Sequence, residues 1–394
     1  MNSLEWRAVI GLGAVYALRM IGMFMILPVF ALYASGLPGE VSPGQIGLAV
    51  GAYGLMQACL QVPVGMASDR WGRKPMIVLG MLVFAAGSFI AGSSHDIHWI
   101  IFGRVIQGAG AVSSAVAALL ADVTRVQVRT MAMAIVGVGM GLSFVLAMVL
   151  GPVFSGWIGV DGIFQMTGVL ALLAVPLVLW YVPAEPPRST APAGSFREVL
   201  LDPQLLRLDG GILLLHAGMT ALFLAAPFAI EETLALAGTE HWKVYLPVLL
   251  LSILPVFPLV RWAETRGHAR PVFVGSIGLL AVALALAGML HGSAWGLLAA
   301  LLLYFVAFNY LEGSLPSMIS RMVPAQQKGA ALGVYSTAQV LGGGLGGPLG
   351  GFALHHWGVT GVFCAAAVLP LIWLGFALPG APRHEVAAEK PGAE

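Results

Sequence analysis

Runs of about 20 apolar residues, each long enough to cross a bilayer as a helix, recur along this chain. Twelve of them begin near residues 8, 44, 75, 97, 131, 161, 208, 243, 271, 293, 328 and 357. Turn residues separate them, as in Ser35-Gly36-Leu37-Pro38-Gly39, Ser93-Ser94-His95-Asp96, His291-Gly292-Ser293 and His355-His356-Trp357-Gly358. With 59% hydrophobic and 9% charged residues, the chain cannot cover itself with polar surface in water. It needs lipid as solvent, and a backbone in lipid must satisfy its own hydrogen bonds. The expected fold class is therefore an all-α membrane protein of twelve transmembrane helices.

The charges give these runs a direction. Arg70, Arg73 and Lys74 follow the second run, Arg125 and Arg129 the fourth, and Arg188, Arg197 and Arg207 the sixth. Arg261, Arg266 and Arg270 follow the eighth, Arg321 and Lys328 the tenth, while Arg7, Arg383 and Lys390 flank the two ends. The alternate connections carry only Lys243. Basic connections stay in the cytoplasm, so both termini are expected there. A Pro-rich, basic stretch divides the sequence at its midpoint. The expected organisation is a six-helix bundle over 1–182, a linker over 183–207, a second six-helix bundle over 208–381 and a polar tail over 382–394. The two bundles read as pseudo-symmetric. Gly65-Met-Ala-Ser-Asp69-Arg70-Trp-Gly72-Arg73-Lys74 in the first has a weak counterpart in Arg261-Trp-Ala-Glu264-Thr-Arg266-Gly267-His-Ala-Arg270 in the second. Repeated halves suit a transporter, in which two rigid units rock about a central site.

Other functions are disfavoured. A net charge of +1 argues against a nucleic-acid partner. Cys59 and Cys364 lie in apolar runs with neither disulfide nor metal spacing. There is no nucleotide loop and no clustered catalytic set, so neither enzyme activity nor a cofactor or metal is expected.

Buried charge is costly in a membrane and marks function. Arg19 and Arg104 interrupt the first and fourth runs. Arg104 reads either as an anion-binding group or as a structural Arg bonded to backbone carbonyls. Glu312 reads as the only acid deep in a span, with Asn309 three residues earlier on the same helix face. A proton-coupling group must be charged in one state and neutral in another, and Glu312 is the candidate. His216 is a weaker one. Tyr53, Gln57 and Gln61 recur every four residues and form one polar stripe on the second helix. Glycines in the fifth helix (Gly137, Gly139, Gly141, Gly151, beside Pro152) and in the eleventh (Gly347, beside Pro348) read as sites of close packing or bending.

Gly65-x-x-x-Asp69-Arg70-x-Gly72-Arg73-Lys74 resembles the signature loop of the major facilitator superfamily. Arg104-Val-Ile-Gln107-Gly108-Ala-Gly110 is similar to its fourth-helix motif. Gly151-Pro152-x-x-x-Gly156, read as ending the fifth span, is similar to the motif of its drug/proton antiporter branch. Leu18 to Pro28 and Phe308 to Ser317 resemble a YajR-like subgroup. The namesake of that subgroup has an additional C-terminal soluble domain. This sequence is expected to end after the twelfth helix, so no role of that domain carries over. The resemblance implies the major facilitator fold in a bacterial inner membrane. It also implies a latch in which Asp69 and Arg73 join Asp122. In an outward-open state Asp69 would face the start of the eleventh helix, near Gly329 and Gly333, where a helix N-terminus favours an anion. The expected activity is proton-coupled efflux of a small amphipathic molecule by a monomer. A sugar or metabolite uniporter or symporter is the alternative, and a non-transporting sensor a more distant one.

Overall fold

The computed structural model describes residues 1–185, 196–324 and 327–380, and among these every regular element is a helix. Pro186, Pro187, Arg188 and Pro192 of the expected linker lie outside the described residues, as does the tail over 382–394 with Arg383 and Lys390. Ten segments are long and apolar enough to cross a membrane. Two of them, Gln127–Tyr181 and Lys328–Leu378, have 55 and 51 residues, far beyond the ~20 that one crossing takes. Each reverses at a glycine: Gly159 has φ 71° and Gly358 has φ 63°, where a side chain is strained.

Contacts at the ends of these segments show the reversal. Arg125 Nε meets Glu5 Oε1 at 2.7 Å, and Arg7 donates to the Tyr181 carbonyl at 3.0 Å, so residues 125 and 181 share one end. Gln327 donates to Glu198 at 3.3 Å and Arg270 to the Leu378 carbonyl at 2.6 Å, again at that end. Counted this way, the described residues form twelve spanning helices. These are α1 (Ser3–Ser35, bent after Phe24), α2 (Pro43–Trp71), α3 (Arg73–Gly92), α4 (Ile97–Val123, broken near Gly110), α5 (126–158) and α6 (160–181). The second set is α7 (Pro203–Leu234), α8 (Trp242–Thr265), α9 (Ala269–Leu290), α10 (Ala294–Met322), α11 (328–357) and α12 (359–380).

Local chemistry sets the ends. Asn2 and Glu5 form a capping box on α1, and Ser42 with Gln45 does the same on α2. Asp96 caps α4 by accepting from the His98 backbone N–H at 2.7 Å, and that bond holds its carboxyl below the usual aspartate range. The region read as linker is partly helical. Phe196–Leu201 forms a short helix, and α7 starts at Pro203, five residues before 208. Asp202 caps it by accepting from Gln204 N–H, and Pro203 occupies the first turn, where its missing N–H costs nothing.

We call the end that carries Arg73, Arg125, Arg270 and Arg321 the basic end, and the opposite one the far end. Packing differs sharply between them. One apolar cluster holds Val9, Leu12, Ile77, Met81, Leu119, Ala132 and Val178, all from the basic-end half of α1 and α3 to α6. The other joins Met25, Phe30, Ile46, Ile100 and Phe164 of the first six helices to Leu222, Phe223, Tyr245 and Phe305 of the last six. The two halves of the molecule thus share one core at the far end, whereas the first half keeps its own core at the basic end.

Candidate functional site

In the first half, α1 carries Arg19 into the interior, where it is 1% exposed. Its guanidinium donates to Ser113 Oγ and Gln57 Oε1, both at 2.8 Å, and to the Tyr53 hydroxyl. The four-residue spacing on α2 continues this line: Gln57 donates to Gln61 at 3.2 Å, and Gln61 donates across to Ser336 of α11 at 3.3 Å. The polar stripe and Arg19 are therefore one network that ends at the other half. Arg104 behaves differently. It donates to the Ala49 and Val50 carbonyls of α2 at 3.2 and 3.3 Å and to Gln107 at 2.6 Å, with Tyr53 below its guanidinium at 5.0 Å. Its donors brace α2 against the break in α4. Neither Arg19 nor Arg104 has a carboxylate partner among the described residues.

In the second half the charge is reversed. Gln339 of α11 donates to Glu312 Oε1 at 2.8 Å and sits 3.1 Å from His216 Nε2, and His216 Nε2 lies 3.8 Å from Glu312 Oε2. Asn309 does not join them. It donates to Ser252 on α8 at 2.9 Å, because three residues along a helix turn the side chain by ~60° toward the other neighbour. Nor is Glu312 the only acid inside a span: Asp209, two turns into α7, is 6% exposed, whereas the Glu312 side chain is 35% exposed.

Aromatic rings close the space between the halves. Phe144 of α5 stands edge-on to Phe24 of α1 at 5.0 Å and lies 6.2 Å from Phe308 of α10 and 6.4 Å from Phe223 of α7. Phe308 also lies 5.8 Å from the His216 ring. Beyond them, toward the far end, α2 and α11 touch backbone to backbone. A Cβ on Gly51 would strike the Gly344 carbonyl and come within 2.6 Å of Pro348 Cδ; one on Gly347 would strike the Gly47 carbonyl. Gly151 packs equally closely on the Met25 carbonyl where α1 bends. The motif from Gly151 to Gly156 fills the last turns of α5, which runs to residue 158 before the break at Gly159. Gly137, Gly139 and Gly141 have no atom within 4 Å of a built Cβ, so of the two roles read for them, close packing or bending, the first is not met.

At the basic end Arg73 pairs with Asp69, and its Nε reaches Asp122 Oδ2 at 3.2 Å. It also donates to Ser68 Oγ at 2.7 Å. Gly72 adopts φ 104° in the turn, and Gly65 faces Ser114 Oγ with 3.3 Å left for a Cβ. Lys74 Nζ donates to the Val182 carbonyl at 2.6 Å, and its backbone N–H is capped by Glu185. Arg70 also has a partner within the fold. Asp69 is 62% exposed, and nothing lies within 4 Å of a Cβ built on Gly329 or Gly333. The charge group is thus assembled within the first half. Gln339, Ser113 and Glu185 were not legible as site residues, because each acquires its role from a helix or loop distant in sequence. Asp209 carried a signal, a charge just inside an apolar run, but it reads equally as a helix end.

Twelve helices in two halves, with oppositely charged polar networks facing one interior, define a membrane transporter fold. The chain matches the family model for the Major Facilitator Superfamily over residues 12–308 and again over 208–394. It is 45% identical over 375 residues to the inner membrane transport protein YajR of Escherichia coli strain K12, covering 94% of this chain and 82% of that protein. The multidrug resistance protein MdtH of Shigella boydii is similar at 23% identity, over 90% and 91% of the two chains. A solved structure of a bacterial homologue of the human lysosomal transporter Spinster, inward-facing and occupied, matches with a TM-score of 0.76 at 16% identity and 97% coverage of both chains. This chain belongs to the major facilitator superfamily.

Proposed function

We propose that this transporter couples the entry of protons to the efflux of a small, amphipathic molecule by alternating access. The units that move would be residues 1–182 and 208–381, joined by 183–207. The basic end would face the cytoplasm of a bacterial inner membrane, with both termini inside. The protein would act as a monomer. The observation that carries the reading is Glu312: a carboxyl in the interior with one oxygen held by Gln339 and the other buried without a hydrogen bond. A group so placed can alternate between a charged and a neutral form as its surroundings change. The aromatic rings around Phe144, beside this carboxyl's neighbour His216, favour a substrate with apolar surface. The far-end seam, joined while the Asp69 group remains exposed, supports a state open at the basic end.

A panel of compounds screened for a rise in melting temperature would first identify a ligand of the folded protein. Its movement is then followed in proteoliposomes under an imposed pH gradient. The reading predicts gradient-driven transport that Glu312→Gln abolishes at wild-type protein levels. Transport indifferent to the gradient would favour the uniport alternative, and unchanged gradient-driven transport in Glu312→Gln would remove Glu312 from coupling.

A further inference from the structure

The second half holds a buried acid that the proposed coupling does not use. Asp209 lies 6% exposed on α7, and its Oδ1 is buried without a hydrogen-bond partner. The register between α7 and α11 locates what faces it. Gly342 packs on the Leu213 carbonyl, Gly346 on Ala217 and Gly350 on Ala221, so the two helices run parallel with a constant offset. That offset sets Asp209 beside Ala338 and within one turn of Tyr335. Tyr335 is 6% exposed, and its hydroxyl is likewise buried without a partner. Four residues further, on the same face of α11, Gln339 holds Glu312, whose Oε2 is the third unpartnered atom. Tyr335 thus lies about one turn from each acid, three residues before Ala338 beside Asp209 and four before the Gln339 that holds Glu312.

We infer that Asp209 is a second proton-carrying group of the transport cycle, in series with Glu312 along the Tyr335 and Gln339 face of α11. The inference rests on the proton-coupled reading of Glu312. A buried carboxylate oxygen without a donor costs several kcal/mol, whereas a carboxylic acid places its own proton there. Among the described residues no cation pairs with it: Arg207, two residues earlier on α7, is exposed, and Lys328 lies at the start of α11, seven residues before Tyr335. Among the described residues, α11 brings Tyr335 toward Asp209, α10 brings Glu312, and α12 contributes no charged residue. On α7 itself His216 faces Gln339, and Glu198 of the preceding short helix is engaged with Gln327. The step is a simple exchange. A proton taken up from the far end through Glu312 binds Asp209 Oδ1, and it leaves to water at the basic end when the interior opens there, with no other bond made or broken. Tyr335 is a positioning residue that keeps the space between the two acids polar.

Infrared difference spectroscopy of the reconstituted protein between about pH 9 and about pH 6 tests this, because aspartates of ordinary acidity (about 3.9) stay ionised throughout. In unmutated protein labelled with carboxyl-13C aspartate, a protonated-carboxyl band that grows on acidification is expected to shift. Asp209→Asn is expected to lose that band, and Glu312→Gln to keep it. No shifted band, or one that persists in Asp209→Asn, overturns the inference. Where Asp209→Asn fails to fold, Asp209→Glu, which keeps a carboxyl but takes the aspartate label off this position, is expected to lose the shifted component, and its persistence overturns the inference. A glutamate-derived band that survives Glu312→Gln would instead count against the reading of Glu312, so the two failures are distinguishable.

Discussion

Arg19 and Arg104 are both buried cations in the same half, yet their partners divide their roles. Arg19 gathers side chains of α2 and α4 and connects through Gln61 to Ser336 on the other half. Arg104 spends its donors on two α2 carbonyls and Gln107. Lys has no planar fork to span such acceptors. Arg104→Lys is therefore expected to cost about 1–3 kcal/mol of stability by leaving buried carbonyls unpaired. It should lower the thermal midpoint in detergent while the folded fraction still transports; an unchanged midpoint would contradict the bracing role. The polar stripe was legible because Tyr53, Gln57 and Gln61 share one helix face, but its union with Arg19, Ser113 and Ser336 was not, since these come from other helices. The Glu312 cluster was half legible. The acid stood out in its apolar run, but Gln339 comes from a helix that only the fold brings beside it, and Asn309 turned to a different neighbour.

At the level of elements, apolar length carried the count of spans and glycine conformation carried the reversals. Nothing lies within 4 Å of a Cβ on Gly159 or Gly358, so their role is purely conformational. Gly159→Ala and Gly358→Ala are each expected to destabilise by about 1–3 kcal/mol through backbone strain, seen as reduced thermal midpoint and yield. Wild-type midpoints for both would mean that the turns do not need positive φ. The start of α7 was misplaced although its signal, Asp202 before Pro203, stands in the sequence; the surrounding prolines and charges masked it. The signature loop presents its charges ready-made within the first half, with Glu185 capping α3 beside them. Asp69→Asn is expected to abolish transport while leaving membrane insertion intact. Normal transport rates at equal protein levels would exclude Asp69 from the cycle.

Across the whole molecule, charge and packing are both polarised. Two buried guanidiniums line the interior of the first half, with buried Glu5 paired to Arg125 at its basic end, and the partly exposed Glu312 with buried Asp209 lie in the second, while the apolar core is shared only toward the far end. Such an arrangement resists the membrane cost of isolated charge by keeping Arg19, Arg104 and Glu312 in polar interior networks. The glycine seam of α2 and α11 should set which end is closed, because backbone contact this close leaves no room for a side chain. Added bulk there has to separate the halves at the far end.

The most direct test of alternating access measures both ends in one protein. Cys59 and Cys364 are replaced by Ala, and spin labels are attached at cysteines replacing Trp71 and Arg321 across the basic end, or Ser94 and Gly292 across the far end. Distances are read by double electron–electron resonance in lipid, with and without Gly51→Leu. The account predicts that Gly51→Leu lengthens the far-end distance and shortens the basic-end distance together. A far-end change with the basic-end distance fixed, or both distances moving in the same sense, would contradict two halves rocking about a central site.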